Sequence, residues 1–339
     1  MLATRTGSSG GAIASLIAAG RTASRYLNIY TTRKTRLLPT PLTNQPPTDA
    51  AGEINKVEWS TNGDYLVASS YNASAGCYAY KRTGYTFNSI TMPSNRDYGV
   101  DCSISANGEI LAYRTAQASA GTSDNRVFHN ANGTLTLLYI GTTTPNGACA
   151  VSSDGKYVAL LNTVAPFLEI RIRSGSGNAS AYTTSMVLAA QPLVGSSNRT
   201  SALAFSPDDT YLCVVPYVSG HQKIYKLDTT TNVYVQLAAP FSGTNPIGTM
   251  YGAAWSSDGT LLAISGNTQT VIYQRSGDDF NSVATLTGGY RGGFHPSGEY
   301  YITGSGQVYK KGSTATSWTA QGSTVNSYMQ ASGFSPYLL

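Results

Sequence analysis

Few residues in this chain have the type and spacing that chemistry needs. Gly7, Ser9 and Gly11 spell G-x-S-x-G, the pattern of a nucleophile elbow, which lifts a serine on a strand-to-helix turn. Residues 1–11 offer neither strand nor helix and read as a flexible N-terminal segment, so the match is coincidental. Three histidines, His129, His221 and His295, could act as bases or ligands, but they fall in different parts of the chain with nothing to gather them. Cys77, Cys102, Cys149 and Cys213 contain no C-x-x-C pair and read as apolar strand fillers, four free thiols suited to a reducing compartment. Asp154, Asp208 and Asp258 recur periodically. Without a D-x-D-x-D loop they are tight-turn residues that accept local backbone hydrogen bonds, not calcium ligands. No phosphate-binding loop, H-E-x-x-H or dinucleotide fingerprint occurs. The expectation is no catalytic residue, no metal and no cofactor.

Two other residue groups could serve recognition. Of the 24 tyrosines, Tyr80, Tyr225, Tyr273 and Tyr309 recur inside apolar strands, whereas Tyr71, Tyr98, Tyr217, Tyr251 and Tyr290 fall near strand ends. The latter offer flat apolar area with a hydroxyl, suited to protein interfaces or to sugars. The net charge of +5 is concentrated at the start, since residues 1–48 hold six basic residues and no acidic one. Arg21, Arg25, Arg33, Lys34 and Arg36 form its main cluster, a candidate partner-docking patch as well as a candidate solvated strand edge. The remainder carries 16 basic and 17 acidic residues, so no nucleic-acid-binding surface is expected.

The elements that position these residues follow from composition and repetition. Charged residues make up only 12% of the chain, while Gly (35) and Tyr are abundant, which favours strands and tight turns over helices. No segment reaches the ~20 apolar residues of a membrane span, so no membrane insertion is expected. A short apolar stretch, Ser, Asp/Asn-Gly and a second apolar strand recur as VEWSTNGDYLVAS (57–69), CSISANGEILAYR (102–114) and CAVSSDGKYVALL (149–161). LAFSPDDTYLCVV (203–215), AAWSSDGTLLAIS (253–265) and GGFHPSGEYYITG (292–304) continue the series, and SGFSPYLL begins a seventh copy at 332. The Ser position falls at 60, 105, 152, 206, 256, 295 (a His) and 335, with spacings of 39 to 54 residues. That suits a four-stranded propeller blade.

The residue before the Ser position is bulky (Trp59, Ile104, Val151, Phe205, Trp255, Phe294, Phe334), and the one before that is mostly small. Successive strand residues face opposite sides, so the bulky face of one blade can meet the small face of the next. Glu58 breaks the small column and is a candidate to line the central channel. The incomplete seventh repeat finds its missing strands in AIASLIAAG (12–20), YLNIYTTRK (26–34) and TRLLPTPL (35–42). The expected fold is an all-β, seven-bladed β-propeller, a single domain over 1–339, closed by a blade from 12–42 and 330–339.

The repeats resemble the WD-repeat-like propeller class, and in particular copies found in proteins of tailed phages and prophages. YGAAWSSDGTLLAIS (251–265) with VIYQRSGDDFNSV (271–283), and LAFSPDDTYL (203–212), carry the likeness. The resemblance implies a non-enzymatic structural or attachment component of a tailed-phage virion, in its tail, collar or baseplate, assembled in the host cytoplasm. Its partners would be other virion structural proteins, met through the rim of the closing blade. The alternative is a lectin-like propeller that binds host-surface glycan.

Overall fold

The computed structural model describes residues 13–21, 27–33, 36–41, 53–71, 76–93, 98–116, 123–143, 147–161, 168–188, 202–217, 220–246, 248–322 and 329–334. The strands group into sheets whose order follows the chain, each strand pairing antiparallel with the next. Six blades are each built from one contiguous stretch, with inner strands Glu53–Trp59, Tyr98–Ile104, Cys149–Val151, Ala202–Phe205, Met250–Trp255 and Gly293–Phe294. In the fifth blade a short extra strand, Phe241–Ser242, pairs parallel with Phe280 and Asn281. Among the described residues the only helical element is a 3-10 turn, Gly177–Ala179.

Against the expected count of seven, six blades are each formed by one contiguous stretch of the chain. A further four-stranded sheet joins Met329–Phe334 to Ile13–Arg21, Leu27–Arg33 and Arg36–Pro41. Its side chains, Leu27 excepted, lie outside the described residues, as does all of 1–12. Leu27 packs with Ile54, Trp59, Leu66 and Phe87 of the first blade.

The recurrent serine is a turn residue, and its chemistry is spent on the backbone. The hydroxyls of Ser60, Ser105, Ser152, Ser206 and Ser256 accept the amide five residues on at 2.8–3.0 Å. Each donates to the Asn or Asp two residues on at 2.5–2.9 Å. Asp154, Asp208 and Asp258 in turn accept the amides of Lys156, Thr210 and Thr260, as expected of turn residues. In the sixth blade His295 Nδ1 accepts the Ser297 amide instead. The next position is Gly at positive φ in five blades and Asp209, at φ 56°, in the fourth. From that left-handed conformation Asp209 caps a neighbouring turn, accepting the amides of Ser153 at 2.6 Å and Asp154 at 3.0 Å.

Blade packing follows the bulky-against-small expectation. Phe205 packs into the cluster holding Ala150, and Phe294 into the one holding Ala254. Trp255 Nε1 donates to Ala204 O at 3.1 Å. Tyr80, Tyr225, Tyr273 and Tyr309 are buried between sheets. Each such side chain removed from water contributes ~1.5–3 kcal/mol, and this packing holds the inner strands in a common register around the axis.

Candidate functional site in the central channel

That register brings one column of residues to one level of the channel. Four positions before the repeat's serine stand Lys56, Asp101, Ala148, Ala202, Gly252, Arg291 and Ala331. Charged side chains therefore come from the first, second and sixth blades, and small residues from the third, fourth and fifth. The room left by the small residues is a cavity of about 40 Å³, walled by Lys56, Asp101 and Arg291 on one side and by Ala202, Leu203, Gly252 and Ala253 on the other. At ~15 Å³ per water such a space holds only a few atoms.

Asp101 is the hub. Its side chain is 1% exposed, with Oδ1 at 3.3 Å from Lys56 Nζ and 3.2 Å from an Arg291 guanidinium nitrogen. Oδ1 also accepts the Cys102 amide at 3.0 Å and Oδ2 the Cys149 amide at 2.9 Å. Lys56 lies 3.1 Å from Glu58 Oε2 as well. The other Glu58 oxygen accepts Ser103 Oγ at 2.8 Å and the Ile104 amide at 3.0 Å. Glu58 thus joins Lys56 to the inner strand of the second blade.

Arg291 is held by backbone. Nε donates to Tyr251 O at 3.0 Å and Nη1 to Asn55 O at 3.2 Å. Both acceptors are bulge residues: the strand register skips Asn55 between Ile54 and Lys56, and Tyr251 between Met250 and Gly252. A bulge frees a carbonyl from the ladder and is common beside functional sites. Here two such carbonyls, five residues before the serine position in the first and fifth blades, fix one guanidinium.

Burial opposes the charge of Lys56, but Asp101 and Glu58 outweigh it and hold the ammonium above the ordinary lysine range. It is a permanent cation, an electrophile or anion holder and not a base. Its ammonium is bracketed by two carboxylates, Glu58 at 3.1 Å and Asp101 at 3.3 Å. Asp101 accepts from four donors and is committed to structure. Glu58, with 29% of its side chain exposed, is the more accessible of the two carboxylates. The cluster can polarise a carbonyl or hold a carboxylate between Lys56 and Arg291.

Other candidate residues lie elsewhere. His129 sits on the second blade with Nδ1 at 2.5 Å from Asn178 Oδ1, His221 precedes the Lys223–Asp228 strand of the fourth blade, and His295 occupies a turn of the sixth. Burial pulls the His295 pKa down. No group of three or more metal-ligating side chains converges among the described residues. The four cysteines are buried and form no disulfide. Of the basic cluster, Arg21, Arg33 and Arg36 lie on strands, with Arg33 opposite Arg36 at a hairpin. Arg25, Lys34 and the side chains of all five lie outside the described residues, as does G-x-S-x-G. The Lys56–Asp101–Arg291 set was not singled out from the sequence, although the column four before the serine carries it.

No family model matches the chain, and no curated protein matches it. Solved structures do. The chain is similar to a protein from Lactobacillus plantarum at 16% identity and TM-score 0.68, covering 95% of this chain and 99% of that one. It is similar to a candidate 6-phosphogluconolactonase from Bacteroides uniformis at 16% identity and TM-score 0.69, with coverage of 95% and 99%. A periplasmic gluconolactonase of Pseudomonas aeruginosa matches at 13% identity and TM-score 0.69, with coverage of 96% and 99%. At such identity the likeness defines the class by fold, a β-propeller spanning the whole length of these proteins.

These neighbours correct two expectations. The virion structural or attachment role, with its lectin-like alternative, rested on turn and strand motifs that any propeller requires. The neighbours bring lactonase-like proteins and no phage component. The expectation of a non-enzyme falls with it, since several of the structures that share the fold bear the names of enzymes.

Proposed function

We propose that the protein is a lactonase-type propeller enzyme that opens a small sugar lactone at the central channel. The observation that carries this is the buried Lys56–Asp101–Arg291 cluster facing a cavity sized for a carbonyl group and a water; the names of the similar structures supply the substrate class. In this reading the lactone carbonyl oxygen lies against Lys56 and Arg291, which stabilise the charge it gains. Glu58 takes a proton from water as the water oxygen bonds to the carbonyl carbon. The ring C–O bond then breaks as Glu58 returns its proton to the leaving ring oxygen, and the new carboxylic acid loses its proton to water, so the sugar acid's carboxylate remains between the two cations. Asp101 positions both cations and takes no part in proton transfer.

The same reading treats the chain as one ring of seven blades, closed by the sheet of Met329–Phe334 with the N-terminal strands. In support, Met329–Phe334 contacts the inner strand of the first blade on one side and the sixth blade on the other. The functional test is hydrolysis of 6-phosphogluconolactone by purified protein: acceleration over spontaneous opening that Lys56→Met removes supports the proposal, and the spontaneous rate alone overturns it.

A further inference from the structure

Five tyrosines lie toward the blade end where the inner strands begin and the second strands finish. Tyr98 and Tyr251 lie at the starts of inner strands, Tyr71 and Tyr217 at the ends of second strands, and Tyr290 just before the sixth inner strand. Three are in ring contact, Tyr217 edge-on to Tyr251 with centroids 6.3 Å apart and planes at 77°, and Tyr251 tilted 44° against Tyr290 at 5.1 Å, so the ring faces together form an angled cradle. All three are half-buried, unlike the fully enclosed tyrosines between sheets. The cradle adjoins the charged cluster directly, because Tyr290 precedes Arg291 and the Tyr251 carbonyl accepts Arg291 Nε.

Tyr290 is held there against its backbone preference. Its φ is 66°, a conformation in which a bulky residue is a genuine outlier and which persists where surroundings over-determine it. Its amide donates to Gly266 O at 2.7 Å. A Cβ at Gly304 would come within 2.6 Å of the Tyr290 backbone, so only glycine permits that approach. Glycine at 290 would adopt the same φ without strain, and the chain carries an aromatic ring instead.

We propose that Tyr217, Tyr251 and Tyr290 form a platform for the ring of the sugar whose carbonyl or carboxylate end enters the cavity. This deepens the lactonase reading and rests on it. The cavity's few atoms of room cannot enclose a sugar ring, so the ring must lie at the mouth. The aromatic surface that adjoins Arg291 is this tyrosine cradle, which pairs apolar area with hydroxyls able to bond a sugar hydroxyl. The charged cluster then recognises the carbonyl end, and the cradle selects a cyclic, polyhydroxylated substrate over a short acid.

The experiment titrates wild-type protein and variants with D-glucuronate, a stable ring sugar bearing a carboxylate, and with acetate, the carboxylate alone. Wild type should bind glucuronate at least about tenfold more tightly than acetate. Tyr251→Ala and Tyr290→Gly should each lose most of that preference, with acetate affinity unchanged and cooperative unfolding retained. Lys56→Met should weaken both ligands. The Tyr290→Gly arm stands on its own should Tyr251→Ala fail to fold, because glycine suits the backbone there. A glucuronate preference that survives in Tyr290→Gly overturns the platform. Equal binding of the two ligands by a wild type that hydrolyses lactone overturns the platform and leaves the lactonase reading standing. Binding of neither ligand, with no hydrolysis, removes both.

Discussion

Replacing Asp101 by asparagine isolates the charge at the centre of the channel cluster. The shape is kept, and one amide oxygen can still accept a backbone N–H. What is lost is the anion between Lys56 and Arg291, whose side chains are 16% and 9% exposed. At an effective dielectric of about 20, opposite charges 3.3 Å apart interact by about 5 kcal/mol. Removing one partner of a buried pair costs about 3–5 kcal/mol, because the other charge stays desolvated. With an unfolding slope of about 3 kcal/mol per molar urea, the midpoint should fall by about 1 M or more. Adding Lys56→Met should recover about 1–3 kcal/mol, since the second change removes a cation that the first had stranded. Equilibrium urea unfolding of wild type, both single variants and the double variant measures this. A loss under about 1 kcal/mol for Asp101→Asn, or strict additivity in the double variant, would refute the buried cluster as described.

Asp209 gives a pH signature. Burial lifts its carboxyl from 3.8 to about 6, against the two amides that favour its charge. Its folded pKa exceeds the unfolded value, so its contribution to stability is present below about pH 4 and lost as pH rises through about 6. The urea midpoint of wild type relative to Asp209→Asn should therefore be higher at pH 4 than at pH 7, and a difference independent of pH would contradict the assignment. The cysteines give a second check. Burial pushes the thiols of Cys77, Cys102, Cys149 and Cys213 up, so native protein should react negligibly with a thiol reagent, and all four should titrate in denaturant without a reductant. Two or none would show a disulfide.

The blade was legible because its turn repeats. Ser256 and Asp258 bond the same way as Ser152 and Asp154, so a local hydrogen-bond unit leaves a periodic trace in the sequence. The alternation of Phe205 with Ala204, or Trp255 with Ala254, likewise records which face meets the next blade. The channel site leaves a weaker trace. Lys56, Asp101 and Arg291 are one residue each in three blades, and they form a set only when the repeats are aligned four positions before the serine. Glu58 was visible because it interrupts a column of small residues. The hold on Arg291 was not, since backbone carbonyls at bulges carry no side-chain signature, and Asn55 and Tyr251 share no chemistry. The functional expectation failed for a related reason: turn serines and apolar strands report the scaffold, and structures bearing gluconolactonase names share that scaffold at 12–16% identity.

The central claim is that the charged cluster in the channel does chemistry on a sugar lactone. Steady-state hydrolysis of 6-phosphogluconolactone by wild type, Lys56→Met and Glu58→Gln, corrected for spontaneous opening, tests it most directly. Wild type should accelerate hydrolysis, and kcat should drop by about 10²-fold or more when either group is removed, the scale for losing an electrostatic stabiliser or a general base. A wild-type rate equal to the uncatalysed one, or full activity in both folded variants, would contradict it.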